Sequence, residues 1–207
     1  MNIHSIFRPF QRYLRTKRMR QFQQLFGLTP EIPVLDIGGY EFNWMLLSFS
    51  PHLTLLNLSI PGESNFPWVV ADGRRLPFKD GAFDVVYSNS VIEHLGSFEN
   101  QQLFAAECRR VGRRYYVQTP NKWFFVEPHL ITPFIHWLPR RIQRLLLRNF
   151  TVWGLVTRST RQYCESFMNE VRLLNRSDLQ RLFPDAEIRH ERFLGLSKSI
   201  MAVKNFR

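Results

Sequence analysis

Cysteine is scarce in this chain, with only Cys108 and Cys164 among 207 residues. Two thiols cannot build a disulfide framework, and these two lack metal-ligand spacing, so a reducing, cytoplasmic setting is expected. Long apolar runs are missing as well. The most apolar window, residues 123–139, is broken by Glu127, two histidines and three prolines. It falls short of the roughly 20 apolar residues that a membrane-spanning helix needs. The basic N-terminus is not followed by the apolar stretch of a secretion signal, so none is expected. Neither an internal repeat nor a low-complexity segment is visible. Acidic residues are few: 17 Asp and Glu against 28 Lys and Arg leave a formal net charge of +11. Between Met1 and Arg20 stand Arg8, Arg12, Arg15, Lys17, Arg18 and Arg20 with no acidic residue, and a second basic run is Arg140, Arg141, Arg144 and Arg148. Such a balance points to an anionic partner: nucleic acid, an anionic membrane surface or an acidic substrate.

What is present fits one soluble globular unit. A hydrophobic content of 44% with regular polar interruptions is ordinary for a packed domain, and the length allows a proper core. Residues 1–28 read as a basic amphipathic helix, with Ile3, Ile6, Phe7, Phe10, Tyr13 and Leu14 at helical spacing. That helix either covers the domain or contacts a membrane surface or nucleic acid. Residues 29–207 then read as a single domain. Short apolar runs alternate with helical stretches: strands at Pro33–Ile37, Leu53–Leu56, Trp68–Ala71, Phe83–Tyr87 and Tyr115–Gln118, with helices at Phe42–Phe49 and Gln101–Val111. This alternation predicts a mostly parallel, doubly wound α/β sheet. From about 121 to 176 the pattern breaks into mixed aromatics, prolines and arginines, an insert of the sort that usually serves function. The sheet pattern returns with a helix at Asp178–Phe183, capped by Ser177, and closing strands near Ala186–Glu191 and Ser199–Val203.

Two stretches carry chemistry. In 34-VLDIGGYEFNW-44 a strand runs through Asp36 into Gly38 and Gly39, where the backbone can bend sharply and approach a ligand. The G-x-G-x-x-G of dinucleotide sites is absent. In 71-ADGRRLPFKDGAFDVVYSNSVIEHL-95 an acidic residue, Asp72, follows the third strand. An F-D-V-V strand then leads to Ser88, Asn89 and Ser90 and to the adjacent pair Glu93–His94. Glu93 reads as a first-turn acid favoured by the helix dipole. His94, at a strand-end crevice, is a candidate catalytic base, because imidazole exchanges a proton near neutral pH.

Together these stretches resemble the class I S-adenosylmethionine-dependent methyltransferases, from about Glu31 to Val203. The resemblance implies a Rossmann-like fold of seven strands, the last antiparallel, and S-adenosylmethionine as cofactor. It implies cofactor contacts from Asp36, Gly38 and Gly39 (methionine part), Asn57 (ribose, where the family usually has an acid), Asp72 with Gly73 (adenine), and Ser88, Asn89 and Ser90 (methionine moiety). Tyr40 stands where the family's glycine motif has its second glycine. The insert's 118-QTPNKWFFVEPH-129 also resembles the small-RNA 3′-end methyltransferases, a group that holds a metal at a Glu–His pair. That group carries a glutamate where this chain has Ser90, so no metal is expected. Glu127 and His129, set among aromatics, are candidate substrate-binding groups. The expected acceptor is a small molecule, lipid-linked intermediate or glycan. RNA is the alternative, as is a non-catalytic protein of this fold that binds a partner or an anionic membrane, peripherally at the inner membrane surface.

Overall fold

The structure is a computed structural model. It describes residues 8–60, 62–158 and 160–205, with residues 8–14 described by their backbone alone. The apolar positions on which the N-terminal reading rests, Ile3 through Leu14, therefore lie outside the described side chains.

A helix α1 (Arg8–Phe26) precedes strand β1 (Pro33–Ile37), a short helix α2 (Glu41–Trp44), and strands β2 (His52–Asn57), β3 (Trp68–Val70) and β4 (Phe83–Asn89). Helix α3 (Phe98–Val111) and strand β5 (Gly112–Pro120) follow. The insert holds a small hairpin, β6 (Val126–Glu127) with β7 (Thr132–Pro133), and helices α4 (Arg140–Leu146), α5 (Val152–Thr157) and α6 (Arg161–Glu170). Helix α7 (Arg176–Leu182) and strands β8 (Glu187–Phe193) and β9 (Leu196–Lys204) close the chain. Seven strands form one sheet in the order β3-β2-β1-β4-β5-β9-β8. Strands β1 to β5 pair in parallel, and β9 runs antiparallel to both β5 and β8. This is the Rossmann-like sheet with its last strand reversed that the sequence predicts.

Two apolar layers sandwich the sheet. One packs α3 and α7 against it through Phe104, Cys108, Leu179 and Phe183. The other is built by α1. Met19, Phe22 and Phe26, spaced three and four apart, are buried with Trp44, Tyr87 and Tyr116. Phe22 meets the rings of Phe26, Trp44, Tyr87 and Tyr116 at centroid distances of 4.7 to 6.1 Å. Arg18, nearly buried, donates to Asn89 Oδ1 and Glu191 Oε2, each at 2.6 Å. Burial opposes its charge, yet the Glu191 carboxylate offsets this and the guanidinium pKa is raised. Over its described side chains, α1 is thus one wall of the core.

Local details differ from the sequence reading. The helix expected over Phe42–Phe49 ends at Trp44, and the chain continues in tighter turns, with Leu46 N donating to Asn43 O and Leu47 N to Trp44 O. The cap of α7 is Asn175 and not Ser177: its side chain accepts from Asp178 N, and Asp178 answers to the Asn175 N–H, a reciprocal capping box. Ile92–Leu95 forms one 3₁₀ turn, separate from the helix that follows.

Phe22→Ala should lower the unfolding free energy by about 3–5 kcal/mol, the usual cost of emptying a buried aromatic site. Urea denaturation checks this, and a loss below about 1 kcal/mol would mean that α1 is not part of the core.

Candidate active site

The carboxyl ends of β1, β2 and β4 and the turn after β3 surround one open cleft of about 550 Å³. Its wall includes Ile37, Gly38, Tyr40, Asn57, Asp72, Gly73, Ser90, Val91 and His94. Gly38 has φ +76, and a Cβ there would lie 2.5 Å from Val91 Cγ2, so the β1 turn and the loop after β4 approach as closely as backbone allows. Asn57 Oδ1 accepts from Leu58 N at 2.9 Å, which leaves its amide hydrogens for a ligand. Asp72 is already engaged. Its carboxylate accepts from Arg74 N and twice or more from the Arg74 guanidinium, at 2.6–3.0 Å, and these bonds hold its pKa below the ordinary value. A ligand amine would share Asp72 with Arg74, a partner that the sequence pattern did not single out.

Other expected cofactor residues stand elsewhere. Asp36 is fully buried behind the turn and accepts from Trp44 Nε1 at 2.8 Å. Gly39 covers it: a Cβ at that position would sit 1.8 Å from Asp36 Oδ2. Ser88 is buried inside β4 and donates to Ile37 O, while Asn89 accepts from Arg18. Asp36, Gly39, Ser88 and Asn89 are therefore not on the described cleft wall, and they shape it from behind. Burial raises the Asp36 pKa to about 7, and the Trp44 bond only partly opposes this.

At one lip of the cleft the insert meets the 3₁₀ turn. Glu127, buried on β6, accepts from Leu130 N and from His129 Nδ1 at 2.7 Å. His129 Nε2 lies 3.2 Å from His94 Nε2, with the rings edge to face. Burial and then the His129 charge push His94 down to about 4, whereas His129, despite its burial, is raised by Glu127. A protonated His129 then donates Nδ1–H to Glu127 and Nε2–H to the lone pair of neutral His94, and every ring nitrogen facing the pair is matched. Glu93 does stand in the first turn of the 3₁₀ helix. It is fully buried, one oxygen accepts from Thr119 Oγ1 at 3.0 Å, the other has no partner, and burial raises its pKa to about 7. The turn is stitched to the end of the insert. Gly96 N donates to Glu170 O, Arg172 N to Glu93 O, and Gln101 Nε2 donates to both Ile92 O and Arg172 O.

A family model described as a methyltransferase domain matches residues 45–114, the stretch that supplies Asn57, Asp72, Gly73, Ser90 and His94 to the cleft. With the sheet topology, this match supports a class I S-adenosylmethionine-dependent methyltransferase. Solved structures agree in fold. The magnesium protoporphyrin IX methyltransferase of Synechocystis PCC 6803 superposes with a TM-score of 0.58 with S-adenosylhomocysteine bound, at 13% identity, covering 99% of this chain and 88% of that one. With S-adenosylmethionine bound, the values are 0.52, 11%, 99% and 85%. A Rhodobacter sphaeroides protein described as a Zn-dependent alcohol dehydrogenase gives 0.57 at 13% identity, covering 90% and 87%. Likeness at this level shows fold alone. No curated protein matches this methyltransferase in sequence.

The cleft suits the methyltransferase cofactor. Its volume is that of a small-molecule pocket, Gly38 and Gly73 admit close approach, and Asn57 presents donors beside the Asp72 carboxylate. Glu93, His94 and His129 also bring ligand-type atoms within 4.8 Å of one another, a set able to hold a borderline divalent ion. The sequence reading expected no metal because Ser90 stands where the small-RNA group has a glutamate; the set here draws on His129 from the insert, 35 residues after His94.

Asp36 generates a pH prediction. Its folded pKa, about 7, lies above its ordinary value of 3.8, so the folded state binds the extra proton. The stability this group contributes is full below the lower value and is lost as pH rises through the upper one. Asp36→Asn should flatten that decline, which approaches about 1.4 kcal/mol per pH unit at most. Urea unfolding from pH 5 to pH 8, wild type beside variant, checks it, and parallel curves would refute the buried carboxyl.

Proposed function

We propose that this methyltransferase modifies an oxygen or nitrogen atom of a small-molecule, lipid-linked or glycan acceptor, held between the cofactor cleft and the insert. One observation carries the reading: the insert places Glu127 and His129 against His94 at the lip of the cleft. When bound, S-adenosylmethionine supplies an electrophilic methyl group. The chain's own groups then position the acceptor and manage its proton. His94 faces the cleft and is neutral at physiological pH; with His129 neutral and accepting Nε2–H from His94, the Nδ1 lone pair of His94 is left to take the acceptor's proton. His129 and Glu127 stand behind it as the route by which a proton taken from the acceptor leaves the cleft. Most of the acceleration comes from holding two reactants in line, and the packed insert serves that end. The setting proposed is the cytoplasm.

Calorimetry should give S-adenosylmethionine binding in the micromolar range, about −8 kcal/mol. His129→Ala, which changes a residue behind His94 and not on the described cleft wall, should leave that affinity within a few-fold. It should lower S-adenosylhomocysteine release with an active acceptor by roughly 10²-fold. Acceptors drawn from hydroxylated small molecules, glycans, lipid-linked sugars and mixed RNA would be compared. Turnover of RNA alone, or full turnover by His129→Ala, refutes the reading.

A further inference from the structure

The insert presents a surface with no occupant in the fold. From Pro128 to Cys164 the sequence has six arginines and no acidic residue. All six arginines, Arg140, Arg141, Arg144, Arg148, Arg158 and Arg161, are exposed. Arg144 pairs with Glu165 at 3.1 Å. Among the described residues, no carboxylate lies within ion-pair distance of the other five. Large apolar side chains stand between them. Helix α4 has no buried residue and exposes Ile142 and Leu145 one turn apart. Phe150 follows, and α5 exposes Val152, Leu155 and Val156 at positions i, i+3 and i+4, one face of a helix. Leu145, Phe150 and Leu155 are 72%, 69% and 62% exposed. A neighbouring aromatic group joins Trp123, Phe134 and Trp137, with ring centroids 5.2 to 6.5 Å apart and Lys122 over the Trp123 ring.

We infer that this insert surface docks on an anionic phospholipid membrane. Exposed aliphatic and aromatic side chains among arginines are what an interfacial segment presents: apolar groups enter the acyl boundary while guanidinium groups stay at headgroup level. A cavity of about 490 Å³ lined by Arg144, Arg148, Arg161 and Leu145, with Glu165 also on its wall and occupied by Arg144, offers Arg148 and Arg161 as a seat for a headgroup phosphate. Other occupants fit less well. A second copy would bring two +11 chains together through their most basic surfaces. RNA would satisfy the arginines but leave Leu145, Leu155 and Val156 in water. Over its described side chains α1 offers little to a membrane, because Met19, Phe22 and Phe26 are consumed by the core. A second cavity, of about 320 Å³, runs from Arg140 to Glu127, the carboxylate that holds His129. It shares Met168 with the first cavity and reaches Glu127, which stands behind His129. The inference therefore deepens the acceptor reading above toward a lipid-borne substrate, yet its test needs no turnover.

The full chain would be sedimented with phosphatidylcholine vesicles, with and without phosphatidylglycerol, at physiological ionic strength. Binding is expected only with the anionic lipid. The pair Arg141→Glu/Arg148→Glu should weaken it by at least roughly 30-fold, from about 1 kcal/mol for each arginine at the surface. Leu145→Ser/Leu155→Ser should also weaken it, which separates insertion from simple charge attraction. All four positions are exposed, and an unchanged S-adenosylmethionine affinity in each variant certifies the fold. Vesicle binding untouched by both pairs overturns the inference. So does a full chain that ignores anionic vesicles, whether it binds RNA or self-associates through this surface instead.

Discussion

Glu127 is the carboxylate around which the working edge of this protein is arranged. It is buried on a two-residue strand, and it accepts from Leu130 N and from the His129 ring. A charge out of water persists only where donors surround it, so the turn from β6 to β7 must curl back to supply them. That curl aims His129 at His94. Without it, the β6–β7 hairpin would lose its contact with His94. Glu93 and Asp36 lie on the same edge of the sheet, and both are shifted toward protonation by burial. Three poorly solvated carboxyls cost stability, and the aromatic layer under α1 offsets that cost.

Much of the architecture was legible in the sequence because parallel strands buried on both faces announce themselves as short apolar runs. Pro33–Ile37 and Phe83–Tyr87 show this directly, and the turn at Asp36–Gly39 marks where the chain enters the cleft. The insert was legible only as an interruption. Its strands are two residues long, and its helices span six to ten residues with largely exposed faces, too short for a periodic signal to build up. The clustering of His94, Glu127 and His129 follows from topology, since the loops after β4 and β5 leave the same edge of the sheet. Side-chain direction was not legible. Asp36 turns inward to Trp44 and Asn89 turns to Arg18, partners eight and 71 residues away in sequence that the fold brings into contact. The motif gave these residues their neighbourhood and left their orientation to packing.

The stitching at the end of the insert limits how the site can move. Gln101 holds Ile92 O and Arg172 O at once, Arg172 N binds Glu93 O, and Gly96 N binds Glu170 O. The backbone that carries His94 and the backbone that leaves α6 are therefore a single mechanical piece. A clamshell opening hinged on the whole insert would drag His94 away from the cofactor with it. Traffic must pass instead through the part of the insert before α6, where the helices are short and shallowly packed. The far end stays fixed, like the spine of a book whose first pages alone turn.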